Sequence, residues 1–297
     1  MHLSVAEIMT RYINFDKPKF SLLFNRRPFQ VSHALMEHSL FYMDELMSLA
    51  NRLPVSSIEY NAGNVPVSLD PAYTPQTGLT VSETIRCIRD FNSWLVIKNV
   101  EQDPAYGNLL ESCLAEAREF AGIDYSAMHD KHGFIFISSP GAVTPFHMDP
   151  EHNFLFQIRG WKTITVFDQD DRNVLSDKDL ERFFMGGHRN LELKKVHESK
   201  GHVYQLRAGD GLHIPVTSPH WVKNGDDVSI SFSITFQSAE IEHRSHIYKV
   251  NAILRKAGCA PTAPGVSVLR DALKLWIFNI LRGVKRMLRF PIRIWTS

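Results

Sequence analysis

From about residue 132 to residue 237 the hydrophobic pattern runs with a period of two. "GFIFISS", "NFLFQIR", "WKTITVFD", "HVYQL", "GLHIP" and "VSISFSITFQ" are short runs rich in β-branched and aromatic residues, parted by turn residues. Strands this short and this closely spaced build a sandwich or a barrel. Helical periodicity lies before and after them, so the order is helices, strands, helices. That order favours a β-core wrapped by helical extensions over a βαβ parallel sheet.

The first 85 or so residues read as an irregular lead-in around one helix in "HSLFYMDELMSLANRLP", which Pro54 stops. "NAGNVPVSLDPAYTPQTG" is turn-rich and reads as a surface excursion. "VSETIRCIRDF" predicts a second helix with Ser82 as its N-cap, and "SWLVIKNV" a buried strand. "PAYGNLLESCLAEAREFAG" opens on Pro104 and closes on Gly122, the usual asymmetry of helix ends.

Composition excludes several function classes. The chain of 297 residues is 44% hydrophobic and 22% charged, which suits a globular core and not disorder. A net charge of +1 supplies no overall field for nucleic acid, and no helix-turn-helix or finger pattern is present, so no specific nucleic acid partner is expected. Cys87, Cys113 and Cys259 are odd in number and lack a CxxC pair, which points to a reducing compartment. The opening "MHLSVAEIMTRYINFDKPKF" has no basic end followed by an apolar run, so no signal peptide is read there. No run reaches the ~18 apolar residues of a spanning helix. The expected location is cytoplasmic.

Chemistry concentrates in "VTPFHMDPEHNF". Asp149 lies two residues after His147, so on an extended strand an imidazole and a carboxylate point to one side. These are two of the three ligands in a 2-His-1-carboxylate facial triad, which leaves coordination positions open and suits non-haem iron. A lone HxD spacing arises often by chance. The third ligand must come from His188, His197, His202, His213 or His220. His220 stands out, because "GDGLHIPVTSPHWVKN" reads as a strand, a tight loop and a return strand carrying that histidine inward. His202 and His213 read as ordinary strand histidines, and His152 as one without a metal role.

Taken together, "VTPFHMDPEHNFLFQIRGWKTITVF" and "GDGLHIPVTSPHWV" resemble the JmjC/cupin-like Fe(II)- and 2-oxoglutarate-dependent dioxygenases. Within them the likeness is to the branch of the asparaginyl hydroxylase that inhibits hypoxia-inducible factor, and to bacterial cupin-like domain proteins. The elements that carry it are Thr144, His147, Asp149, Asn153, Gln157, Gly160, Lys162, Gly209, Asp210, Pro215 and His220, in the family's order and spacing. The resemblance implies a mainly β core, a double-stranded β-helix (jelly-roll) flanked by N- and C-terminal α-helices. The organisation expected is a helical extension over 1–90, the catalytic core over 91–240 and a helical region over 241–297.

By the same resemblance His147, Asp149 and His220 hold Fe(II), and Lys162 and Thr144 hold the distal carboxylate of the co-substrate 2-oxoglutarate. The physics of Lys162 agrees: it shares a strand face with Ile164 and Val166, and a buried ammonium needs an anion. Asn153 is expected near the proximal carboxylate or orienting a ligand. In "VSISFSITFQ" the face with Ser231, Ser233 and Thr235 is expected to line the cavity, while Val228, Ile230, Phe232, Ile234 and Phe236 pack under helices. Thr235 and Gln237 replace an Asn and a Trp of the asparaginyl hydroxylase, and that enzyme's 2-oxoglutarate-binding tyrosine has no match in "SWLVIKNV". The co-substrate pocket is thus remodelled, and that relative's substrate does not transfer.

The implied function is hydroxylation of a C–H bond of a protein side chain, peptide or small metabolite, with 2-oxoglutarate decarboxylated to succinate. The alternatives are a non-catalytic cupin-like module that binds a ligand or partner, and an isomerase or hydrolase using the same triad. Substrate contacts are expected from the lead-in and from residues 170–200, a polar covering loop. At the end of the chain, "SVLRDALKLWIFNILRGVKRMLRFPIRIWTS" predicts a basic amphipathic helix: Leu269, Leu273, Trp276, Ile277, Ile280, Leu281, Val284 and Leu288 recur at helical spacing, and Arg270, Lys274, Arg282, Lys285 and Arg289 fall largely elsewhere on the wheel. It reads as a packing or homodimerisation helix, as in relatives of this family, or as a membrane-surface contact by residues 268–290.

Overall fold

The computed structural model describes residues 11–62, 67, 81–90, 93–121 and 128–288. The alternating runs become strands because every second side chain can then enter a core. The larger sheet holds β1 (Ile13–Asn14), β2 (Phe29–His33), β3 (Ile58–Ala62), β4 (Ser93–Lys98), β5 (Met128–Ser138), β7 (His152–Arg159), β10 (Asp210–Ile214) and β12 (Ser229–Ser238). Its strand order is β1-β2-β10-β7-β12-β5-β4-β3. The smaller sheet holds β6 (Val143–His147), β8 (Trp161–Val166), β9 (His202–Arg207) and β11 (His220–Asn224), in the order β6-β11-β8-β9. The paired strands whose register is defined run antiparallel.

Both faces of the larger sheet are buried, for different reasons. Outward, Ile230, Phe232, Ile234 and Phe236 of β12 join Phe154, Phe156 and Ile158 of β7 in the main core. That core also takes side chains from α1 (Lys17–Leu23), α2 (Met43–Arg52), α3 (Val81–Arg86) and α4 (Pro104–Ala121). Inward, Leu155, Leu212 and Ile214 meet Ile164, Val166, Leu206 and Val222 of the smaller sheet in a second cluster. The two sheets therefore curl over an interior whose wall is part apolar and part polar. This is the cupin/JmjC jelly-roll with flanking helices.

Gly160 makes the turn between β7 and β8 possible. Its φ is +70°, and a Cβ there would meet the Val228 carbonyl oxygen at 2.5 Å. Only glycine takes that backbone without strain and clears that neighbour.

Three expectations need correction. The lead-in is not separate from the core: β2 pairs with β10, and β3 with β4, so residues before 90 complete the larger sheet. "FQVSH" alternates buried and exposed, and it pairs once β10 supplies backbone partners. Ser82 lies inside α3 and not at its N-cap. The helix in "HSLFYMDELMSLANRLP" starts at Met43, after a short 3-10 turn over Ser39–Phe41. The turn-rich stretch 61–78 lies mostly outside the described residues; its Val67 carbonyl accepts a hydrogen bond from the Phe146 amide at 2.6 Å.

The chain divides into two compact units, and the division does not fall at residues 90 and 240. One comprises residues up to 169 together with 190–237; the other comprises 170–189 and the residues from 238 on. The polar segment 170–200 is thus not a plain loop. It contains α5 (Asp177–Phe184), opened by a capping box in which Ser176 and Asp179 satisfy each other's backbone amides. Within the second unit α5 packs on α6 (Ala239–Lys256). Phe184 stacks on Tyr248, and Glu181 takes two hydrogen bonds from the Arg255 guanidinium, at 2.7 and 2.9 Å.

Candidate metal centre

Strand pairing brings the two distant histidines together. His220, the first residue of β11, lies directly opposite His147, the last residue of β6, and opposite Val166 of β8. Residues directly opposite in an antiparallel pair share a face, so both imidazoles enter the interior. Their ring centroids are 4.2 Å apart. Asp149 follows past the strand end, where its carbonyl accepts a hydrogen bond from the Thr217 amide at 2.8 Å. Its Oδ2 stands 3.7 Å from Nε2 of each histidine. One donor atom from each of the three residues falls within 4.8 Å of the others.

The histidine tautomers suit a cation at that point. His147 Nδ1 is 2.7 Å from the Pro145 carbonyl, and His220 Nδ1 is 3.0 Å from the Ser218 carbonyl. A carbonyl can only accept, so each Nδ1 carries the proton and each Nε2 presents a lone pair towards Asp149. Two neutral imidazoles and a carboxylate with converging donors form a set that holds a divalent transition metal. The expected His-Asp-His cluster is therefore assembled.

The interior wall beyond the cluster is polar on selected strands. Lys162 lies opposite Asn224 of β11 and Leu206 of β9, on the face of Ile164 and Val166. It is 4% exposed, and no carboxylate among the described residues pairs with it. Burial alone holds its pKa down at about 7. Thr144 lies opposite Val222, an inner-cluster residue, because a bulge between His220 and Val222 shifts the register by one residue.

On the larger sheet, Thr235, Ser233 and Ser231 lie opposite Asn153, Leu155 and Gln157. The Ser233 hydroxyl donates to Asn153 Oδ1 at 2.8 Å, and the Ser231 hydroxyl to Gln157 Oε1 at 2.6 Å. Gln157 in turn donates to Ser229 Oγ at 3.0 Å. Ser231 is thereby committed to a closed network. The Thr235 hydroxyl is not: it is buried without a hydrogen-bond partner among the described residues. A buried ammonium on one sheet and an orphaned hydroxyl on the other are what an anionic ligand between them would satisfy.

Sequence reasoning missed Asn224. Its side chain is buried, and its Oδ1 has no partner. The signal was present in "HWVKN": counting by two from His220 puts Val222 and Asn224 on the same face. Tyr204 was missed as well. It lies opposite Ile164, packs against the inner cluster and gives that wall a phenol. Asn190 forms an isolated bridge beside His147, so part of the 170–200 stretch lies at the metal cluster's edge.

The remaining histidines fall elsewhere. His152 faces the outer core, stacked on Phe24 and Phe236, where burial lowers its pKa to about 4. His213 is buried in β10, takes a hydrogen bond from the Asn25 amide at 3.2 Å and is held well below the usual imidazole range by burial. His202 is exposed on β9.

Comparison with known proteins agrees with this architecture. The cupin-like domain matches residues 90–240. The JmjC domain-containing protein D of Dictyostelium discoideum is 35% identical over 107 residues, 33% of this chain. The chain matches only 23% of that relative's length. Among solved structures, Escherichia coli ycfD superposes with a TM-score of 0.53 at 18% identity, over 95% of this chain and 70% of the other. A second structure, of YcfD, a ribosomal oxygenase from Escherichia coli, in complex with cobalt and 2-oxoglutarate, gives 0.52 at 17% identity, over 91% and 67%. At such identities the likeness is one of fold, and it extends over the strands that carry the cluster. With half of its length matched by that domain, the chain belongs to the cupin-like domain family.

Proposed function

We propose that this protein is an Fe(II)- and 2-oxoglutarate-dependent oxygenase that hydroxylates a C–H bond, of a protein side chain or peptide in preference to a small metabolite. The observation that carries the reading is the His147–Asp149–His220 cluster sharing one interior with the unpaired, buried Lys162. The protein-substrate preference is supported by the JmjC relative and by the ribosomal oxygenase of the same fold.

When bound, iron would let O2 act as the oxidant, one oxygen atom ending in the hydroxyl of the product and the other in succinate as 2-oxoglutarate loses CO2. The chain's own residues do the rest. His147, Asp149 and His220 would hold the metal through three positions and leave the others open. The two Nδ1 hydrogen bonds fix the imidazole planes, so the metal is held without a reorganisation cost. Lys162 lies four residues along β8 from Val166, the partner of His220. At ~3.4 Å per residue that is ~14 Å between Cα atoms, so the ammonium stands apart from the metal donors on the same face of the sheet.

Lys162 then anchors the distal carboxylate, with the Thr144 hydroxyl beside it. Asn153, fixed by Ser233, and the Thr235 hydroxyl would face the co-substrate from the larger sheet. Leu155, Ile164, Val166, Leu206, Leu212, Ile214 and Val222 keep the interior dry, which strengthens each of these polar contacts.

The test is succinate formation from 2-oxoglutarate by protein reconstituted with iron, beside the same assay on His147→Ala. Turnover that needs both iron and oxygen and vanishes in His147→Ala supports the proposal. An intact protein that binds no metal would refute the oxygenase and favour a binding module. Activity without oxygen or 2-oxoglutarate would favour an isomerase or hydrolase on the same triad.

A further inference from the structure

Helix α7 (Val268–Leu288) is amphipathic, yet its apolar stripe is not the face that packs on the chain. The packed face carries Asp271, Lys274 and Phe278. Phe278 stacks on His246 of α6 with centroids 3.8 Å apart, and Lys249 lies over the same ring at 5.8 Å. Lys274 is buried and donates to the Thr262 carbonyl at 2.6 Å. Lys274 thus lies off the apolar stripe, as its place on the helical wheel requires, and the Thr262 carbonyl compensates its burial.

Turning that face inward leaves Leu269, Leu273, Trp276, Ile280 and Leu281 outside, from 84% exposed at Leu269 to 43% at Leu281. Steps of four, three and four residues place Leu269, Leu273, Trp276 and Ile280 on one stripe. Val284 and Leu288, expected to extend it, lie outside the described side chains.

The charge around the stripe has one sign. Arg270 and Arg282 are exposed beside it. The single acid of the helix, Asp271, is spent internally: it accepts from the Gly265 amide at 2.7 Å and pairs with Lys274 at 3.8 Å. Beyond Asp271 the sequence holds Lys285, Arg286, Arg289 and Arg293 and no further acid.

From this we propose that α7 docks on an anionic lipid surface, lying along it with Leu269, Leu273, Trp276 and Ile280 inserted at the headgroup boundary. An apolar stripe with a tryptophan and flanking cations is complementary to such a surface. A second copy of the chain fits less well. An isologous pair sets arginine-flanked stripes against each other with no free acid on the helix. No helix among the described residues is long and apolar enough to cross a membrane, so the contact is one of surface. The inference is independent of the chemistry proposed for the interior.

The experiment is co-sedimentation of the full chain with vesicles of phosphatidylcholine alone or with about 30% phosphatidylserine, at low and high salt. Binding to the anionic vesicles only, weakened by salt, is the expected result. Leu273→Glu with Trp276→Glu should weaken it by about tenfold or more, since both side chains leave the apolar layer. Arg270→Glu with Arg282→Glu keeps the stripe and should weaken the preference for anionic lipid. Both double variants change exposed residues, so circular dichroism should match the parent. Equal binding to both vesicle types, or none to either, overturns the proposal. So does a micromolar dimer that Leu273→Glu dissociates while vesicles are ignored, because a second copy would then be the occupant.

Discussion

Replacing Lys162 with methionine should make the ligand-free protein more stable and co-substrate use worse. Lys162 is held in the folded chain without an anion, and its pKa falls from 10.5 to about 7. At about 1.4 kcal/mol per pH unit, that displacement corresponds to about 5 kcal/mol of destabilisation whenever the lysine is charged in both states. Methionine fills the same volume without the charge. Lys162→Met should therefore gain about 3–5 kcal/mol at pH 6, allowing for local relaxation around the buried ammonium.

The sign of the pH dependence is fixed. Between about pH 7 and 10.5 the unfolded chain keeps a proton that the folded chain has shed. Wild-type stability consequently rises with pH across that window, and this contribution is flat below it. The advantage of the variant should shrink to about 2 kcal/mol at pH 9.

Guanidinium unfolding of the two metal-free proteins at pH 6 and pH 9 reads this directly, from the midpoints at matched slopes. Adding 2-oxoglutarate with Mn(II) should stabilise the wild type far more than the variant. Equal stabilities at pH 6, or parallel pH profiles, would show that Lys162 is not an unpaired buried charge. An unchanged 2-oxoglutarate requirement in the variant would remove the lysine from the co-substrate site.

Three other substitutions probe separate parts of the fold. Asn224→Leu removes a buried amide whose Oδ1 has no partner; stability should hold or rise, while KM for 2-oxoglutarate rises about tenfold with little change in bound iron. A steady-state 2-oxoglutarate titration beside a metal analysis checks it, and an unchanged KM makes Asn224 merely structural. Gly160→Ala must adopt φ +70° against the Val228 carbonyl and should cost about 2 kcal/mol or more, read as a lower urea midpoint. His152→Phe should flatten acid unfolding. Below pH 6.5 the unfolded chain takes a proton that the folded chain refuses until about pH 4, which costs up to about 3 kcal/mol in the wild type. Coincident acid transitions of variant and parent would contradict that account, with buried His213 supplying the slope that remains.

How much of this was legible beforehand depended on whether the cause is local. The two faces of β12 follow from alternation alone, because a strand's side chains have no third direction. His147 and Asp149 declare each other two residues apart. His220 does not: nothing near it in sequence says that it will lie opposite His147, and the family resemblance singled it out. Asn224 shares the face of His220 by simple parity, but a lone asparagine on a strand carries no chemistry until the buried lysine opposite it is known. The lead-in strands were lost for a related reason. "FQVSH" is too short to read as a strand by itself, and its pairing belongs to β10, far along the chain.

Helix α7 shows the limit from the other side. Periodicity says which of its residues share a face, and it did so correctly for Leu269, Leu273, Trp276 and Ile280. It does not say which face meets the rest of the chain, because burial there is decided by specific partners. Lys274 is buried because Thr262 and Asp271 satisfy its ammonium, and Phe278 is half-buried because His246 and Lys249 offer a ring and a cation. Each of those contacts is individually modest, yet together they turn the more apolar stripe outward. The interior follows the opposite logic. There Lys162 is buried with no partner among the described residues, at a cost that the apolar strands around it must carry. A lysine compensated by its own chain is architecture; one left uncompensated beside three converging metal donors is the mark of a ligand that the chain itself does not contain.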